Sequence, residues 1–203
     1  MAIRQAAESE GLGAKEAELV RRARAGEMSA YRELYAEHFP VVSRMARRLG
    51  TPASEVDDVT QEVFEKAFRK LDRFHGGNFG FWIHRICANA VTDHHRRRQV
   101  RETLGRLWRA ETPDEVEAAD SSTEGETTSA QAEAFIGKVL ARMRPKHREV
   151  FVLFELERRP GEEIAERVGC PLATVWTRLF HARKEFARLG QRYRMLESAE
   201  DAT

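Results

Sequence analysis

Apolar residues recur along this chain at spacings of three and four, and no stretch alternates at the spacing of two that a half-buried strand requires. From Lys15, residues Leu19, Val20 and Ala23 share one helical face before Gly26 ends the segment. Tyr31, Leu34 and Tyr35 mark a second helix over Ser29 to His38. Pro40 fits a helix start or a kink, and Val41, Val42, Met45, Ala46 and Leu49 continue the stripe to Gly50. Thr51 to Ser54 reads as a turn with Ser54 as N-cap, followed by a helix to about Leu71. Its broad apolar face holds Val56, Val59, Val63, Phe64, Ala67, Phe68 and Leu71. A Gly-rich loop over His75 to Gly80 precedes another helix, Phe81 to Arg98, with Ile83, Ile86, Cys87, Ala90 and Val91 turned inward. The helical pattern resumes near Ala130 with Phe135, Val139, Leu140 and Met143, and again over Lys146 to Leu156 with Val150, Phe151, Leu153 and Phe154.

The last periodic stretch, Pro160 to Arg183, predicts a helix, a tight turn and a second helix. Ile164, Ala165 and Val168 line one face of the first helix, and Leu172, Val175 and Leu179 line one face of the second. Gly169 suits the left-handed end of a helix, and Pro171 suits the first turn of the next. Small residues at the crossing point favour a helix-turn-helix, whose second helix can enter a DNA major groove. A plain αα-hairpin with solvated basic residues is the other reading of the same stretch.

Charge divides the chain further. A formal net charge of +1 over 203 residues does not announce a nucleic-acid binder. From Leu107 to Ala134, however, Arg109 stands alone against eight acidic residues, and removing that segment leaves both flanks basic. Residues 101–130 are rich in Ser, Thr, Gly and Glu and read as a flexible acidic linker. The expected organisation is all-α: a tail over 1–14, a helical domain over 15–100, the linker over 101–130, a helical domain with the helix-turn-helix over 131–195, and a tail over 196–203. Two cysteines, Cys87 and Cys170, stand far apart with no CxxC, which speaks for a reducing compartment and against a zinc site. With no long apolar run and no signal-peptide core, the expected location is the cytoplasm, without membrane insertion.

Two constellations carry candidate chemistry. Phe74, Phe79, Phe81 and Trp82 surround the Gly-rich loop beside Arg85, Arg96, Arg97 and Arg98. Aromatic platforms with a cationic groove suit separated single-stranded bases, although aromatics here also fit a core. Asp57, Asp58, Gln61, Glu62 and Glu65 form an acidic and amide face that repels DNA and suits a partner rich in Arg or Lys, or simply solvent. Catalysis finds no support. His94 and His95 are adjacent and diverge on a helix, and His84, His147 and His181 read as isolated. No cofactor and no metal are expected.

These pieces, in this order, resemble the bacterial sigma-70 family of RNA polymerase sigma factors, in its short extracytoplasmic-function (ECF) form. DDVTQEVFEKAFRKLDRF is similar to the family's core-binding helix, and GGNFGFWIHRICANAVTDHHRRR to its promoter-melting and −10 segment. MRPKHREVFVLFELERRPGEEIAERVGCPLATVWTRLFHARK is similar to its −35 domain. The resemblance implies a factor, not an enzyme, that binds core RNA polymerase and directs promoter-specific initiation. It implies that Asp57, Asp58, Gln61, Glu62 and Phe64 dock on the β′ clamp helices, and that the second domain meets the β flap. It assigns the −10 element to Phe74, Trp82, Asn89, Asp93, Arg96 and Arg97. It assigns the −35 element to Thr174, Trp176, Thr177, Arg178, Phe180, His181, Arg183 and Lys184. An anti-sigma protein is an implied partner. Trp176 stands where the family often has Lys or Arg, and cannot make the bidentate guanine contact of an arginine.

Overall fold

The structure, a computed structural model, describes residues 15–111 and 128–200; the expected tail over 1–14 and the middle of the expected linker lie outside the described residues. Eight α-helices follow one another there, with no strand: α1 (15–24), α2 (Met28–Arg48), α3 (Val56–Arg69), α4 (Phe79–Glu111), α5 (Thr128–Arg142), α6 (Pro145–Phe151), α7 (Gly161–Val168) and α8 (Leu172–Glu200). Four differences from the sequence reading concern boundaries. α2 passes through Pro40 without ending, burying Leu34 before it and Val42 and Met45 after it. Ser54 caps nothing: Ala53–Glu55 forms a 3-10 turn, and α3 starts at Val56 with no side-chain cap. α4 runs on through Val100 to Glu111, residues expected to begin the linker. Arg98 holds Glu102 one turn on at 2.9 Å, and Thr103 Oγ1 donates to the Gln99 carbonyl. Likewise α8 reaches Glu200, into the expected terminal tail.

The N-terminal half packs α1, α2 and α3 against the first half of α4. Its helices meet through Leu34, Val42, Val59, Val63, Cys87, Ala90 and Val91, all nearly inaccessible. The C-terminal half carries a small core of its own, in which Val150 and Leu153 from the segment before it pack with Ile164, Val175 and Leu179 of the helix-turn-helix. Gly169 takes the left-handed φ of 67° that ends α7, and Cys170 N–H closes on the Ala165 carbonyl. Pro171 offers its carbonyl to the N–H groups of Thr174 and Val175 at the start of α8. Because only five buried residues hold this unit, Ile164→Ala is expected to cost about 2–5 kcal/mol, read as a lower thermal midpoint.

The two halves are not beads on a string. One apolar cluster runs from Leu34, Val63 and Val91 into Val139, Leu140, Met143, Phe151 and Ala182 of the other half. Arg148 is buried within this contact. Its Nη2 donates to Thr92 Oγ1 on α4 at 3.0 Å, and its Nη1 lies 3.5 Å from the Leu140 carbonyl. Its neighbour Glu149 places Oε1 3.5 Å from Nδ1 of the buried His84. Arg167 of α7 covers the ring of Phe81 at 4.8 Å. At the other end, Gly50 of the N-terminal half takes a φ of 90°, and a Cβ there would stand 2.9 Å from the carbonyl oxygen of Gly137 on α5.

Candidate nucleic-acid and protein interfaces

The acidic face of α3 is set by its apolar one. With Val56, Val59, Val63 and Ala67 buried, Asp57, Asp58 and Gln61 turn outward and are exposed. Glu62 behaves differently: it is half-buried between Lys66 at 2.8 Å and Arg97 at 2.7 Å. Its charge is therefore already balanced within the chain. Phe64 is not part of the surface. It is 4 % exposed, packs on Tyr35 at 4.5 Å, and its carbonyl accepts the Tyr31 hydroxyl. The sequence reading placed it in a docking surface because it lies within the motif; the pitch of α3 turns it inward.

Around the Gly-rich loop, Phe74 is buried and contacts Phe79 at 5.6 Å and Trp82 at 5.4 Å. Trp82 lies half-buried on this aromatic base, so Phe74 acts as its support and has little surface to offer a ligand. Asn78 Oδ1 accepts the Phe81 N–H at 2.9 Å and starts α4. Two turns along, Asn89 is exposed and Asp93 half-exposed, with Lys66 at 3.5 Å and Arg96 at 3.8 Å from the Asp93 carboxylate. Arg96 is largely exposed and reaches only Asp93 of its own helix, whereas Arg97 is tied to Glu62 on α3. α4 thus presents an amide, a carboxylate and cations along one exposed strip beside a half-buried indole. That set can donate to and accept from base edges while holding phosphates.

His84 and His95 lie on the opposite side of α4. Burial, with Arg167 and Arg85 nearby, pushes His84 down to about 3, and burial beside Arg148 does the same to His95, whose Nε2–H donates to the Leu49 carbonyl. Burial also lifts Glu149 to about 7, against the pull of Arg178, Arg148 and Arg85. Cys87, pushed up to about 12 by burial, is an inert packing residue. The sequence reading treated His84, His147 and His181 as isolated. In fact His84 faces Glu149, while His147 Nδ1 lies 2.5 Å from Glu185 and its ring stacks on His181.

On the second helix of the helix-turn-helix, Val175, Leu179 and Ala182 face inward, and Thr177, Phe180, His181 and Lys184 face out. Thr174 and Arg178 are half-buried on its flanks. Thr177 Oγ1 donates to the Ala173 carbonyl. Arg183 is held by Glu155 at 2.7 Å and lies over the Phe154 ring, and Lys184 Nζ sits 4.2 Å above Phe180. Trp176 leans away from the outermost line, edge-on to Phe154 at 5.5 Å, and remains 44 % exposed. Its ring occupies the space a Cβ at Gly161 would need, 2.7 Å away. That pairing was invisible in the sequence, where Gly161 reads only as a helix start.

No helix among the described residues is long and apolar enough to cross a membrane. Residues 34–102 match the Sigma-70 region 2 family and residues 136–186 the Sigma-70, region 4 family, together more than half of the chain. The chain is 32 % identical over 161 residues to the ECF RNA polymerase sigma factor SigE of Mycolicibacterium smegmatis, covering 78 % of this chain and 60 % of that one. It is also 32 % identical over 175 residues to the RNA polymerase sigma factor NccH of Alcaligenes xylosoxydans xylosoxydans, covering 85 % of this chain and 93 % of that one. Among solved structures, CnrH in complex with the cytosolic domain of CnrY shares the fold at a TM-score of 0.58 and 24 % identity, covering 86 % of this chain and 96 % of that chain. The exposed strip on α4, the helix-turn-helix and these matches converge: the chain belongs to the sigma-70 family of RNA polymerase sigma factors, in its ECF type, and serves promoter-specific transcription initiation.

Proposed function

We propose a division of labour between the surfaces. The exposed carboxylates of α3, Asp57 and Asp58 with Gln61, dock on the β′ clamp helices of core polymerase in the cytoplasm, and region 4 meets the β flap. Asn89 and Asp93, backed by Trp82 and flanked by Arg96 and Arg97, hold the unstacked −10 strand. The outward side chains of α8 read the −35 element in the major groove, with Arg178, Arg183 and Lys184 near phosphates. The factor makes no covalent change itself and takes no cofactor; the polymerase supplies the chemistry. The observation that carries this reading is the exposure of Asn89 and of Asp57 and Asp58 on two different faces of one bundle, so that DNA and protein can be held together.

Asp57→Arg with Asp58→Arg is expected to weaken association with core polymerase by at least about tenfold, because like charge placed on a complementary face costs several kcal/mol. Both residues are exposed, so the melting curve should barely move. Run-off transcription with core polymerase on a randomised promoter library tests the whole reading; no enrichment of a two-part element would sink it. A regulatory protein of the anti-sigma type is a further proposed partner, supported by the solved complex of CnrH with the cytosolic domain of CnrY. Competition between such a protein and core polymerase for the chain is the measurement that decides it.

A further inference from the structure

We infer that the upstream promoter element of this factor is read through thymine methyl groups by an aromatic pair, Trp176 and Phe180, and that Gly161 is the positioning residue that makes the pair possible. The inference rests on the proposal that α8 enters the −35 major groove, and it concerns what is read there. Trp176 and Phe180 lie four residues apart, one turn along the same side of α8, within its first nine residues. That is the end of a recognition helix that meets base edges. They are 44 % and 55 % exposed, an unusual outlay of apolar surface on a helix otherwise faced with Thr177, His181 and Lys184.

The Trp176 ring is held on several sides. Phe154 stands edge-on to Trp176 at 5.5 Å, and the indole rests over the bare Cα of Gly161, where a Cβ would come within 2.7 Å of one ring carbon and 3.0 Å of another. Leu172 Cδ1, at 2.9 Å, closes the remaining space. Phe180 carries Lys184 Nζ over its face at 4.2 Å and meets the His181 ring at 5.4 Å, so a cation stands directly beside the exposed ring. Neither aromatic side chain offers the paired donors that read guanine, and Phe180 has no polar atom at all. The one feature of the major groove that rewards an apolar contact is the C5-methyl of thymine. The cations at Lys184 and Arg178 match a nucleic acid better than an apolar protein groove.

The test uses the reconstituted holoenzyme on its selected promoter, with thymine in the −35 element replaced by uracil, which deletes only the methyl groups. Each lost methyl contact should weaken binding about fourfold, and two should exceed tenfold. Phe180→Ala, exposed and so expected to fold normally, should cut the thymine-over-uracil preference about fourfold, and Trp176→Ala with Phe180→Ala should bind the two promoters alike. Gly161→Ala should shrink the thymine preference while leaving association with core polymerase intact. Wild-type factor that does not distinguish uracil from thymine would overturn the inference while leaving promoter-specific transcription standing. Loss of binding by Phe180→Ala to a protein inhibitor alone, with DNA binding unchanged, would also overturn it and mark the pair as a protein contact. If no promoter is selected at all, the underlying reading of α8 fails instead.

Discussion

Gly50→Ala is expected to destabilise the packed arrangement of the two halves by about 2–4 kcal/mol, against only about 1–2 kcal/mol for Gly26→Ala. The two glycines share a φ of 90°, so each substitution brings the same conformational penalty. They differ in surroundings. A Cβ on Gly26 meets nothing within 4 Å, whereas on Gly50 it meets the Gly137 carbonyl oxygen at 2.9 Å and the Ala141 nitrogen at 3.1 Å. Both are backbone atoms of α5 and cannot swing aside as a side chain would. The strain must be relieved by moving α5 away from α2, which opens the seam between the halves. Circular dichroism melts give the energies, and solution scattering should show an expanded particle for Gly50→Ala alone. Equal melting and equal size for the two variants would mean that the halves do not rest on this approach.

Glu149→Gln should raise stability at pH 8 and have little effect near pH 4. The carboxyl is raised from 4.5 to about 7 by burial, despite Arg178, Arg148 and Arg85 around it. A raised acid binds its proton more tightly in the folded state, so its contribution is present below 4.5 and lost as pH rises through 7. Above 7 the folded protein must hold a buried carboxylate at a cost of roughly 3 kcal/mol. Glutamine keeps the shape and the hydrogen-bonding capacity without that charge. The buried His84 and His95, pushed down to about 3, work in the opposite direction between 3 and 6.5, since only the unfolded chain protonates there. They are present in both proteins, so the difference between wild type and variant isolates Glu149. Thermal midpoints across pH 4.5 to 8 should diverge steadily, by several degrees at the upper end. Parallel curves would show that the arginines fully compensate the charge.

What the sequence made legible were features decided within one or two turns. Gly169 and Pro171 place the turn of the helix-turn-helix, and the spacing of Val56, Val59 and Val63 places the acidic face of α3 outward. Features decided between distant segments were not legible. Phe64 was legible as part of the apolar face of α3; what was not legible is its burial against Tyr35 of α2, which removes it from the docking surface the motif implied. His84 and Glu149 are sixty-five residues apart and meet only because α6 lies on α4. The length of α4 was hidden by composition: the polar run after Val100 looks like linker, but Arg98, Glu102 and Arg142 give it partners. Trp176 was singled out from sequence as an unusual groove residue, yet its seat on Gly161 is a contact between helices that no local pattern records.

The contact of Arg148 with Thr92 has a consequence on the scale of the promoter. Duplex DNA rises 3.4 Å per base pair, so elements centred near −35 and −10 lie about 85 Å apart. Even the 33-residue α4 extends only about 50 Å at 1.5 Å per residue. On the proposed placement of the two elements, with α6 and α7 of region 4 resting on α4 of region 2, the closed molecule is too short to span both. On that placement, holding the whole promoter would require the seam to part, exposing His84, Arg148 and Glu149. The free energy of that seam is then a threshold on recognition. A sequence offering half a promoter can be held without opening the molecule, while the second element counts only when its contacts, or those of the polymerase, exceed the energy of the closed interface.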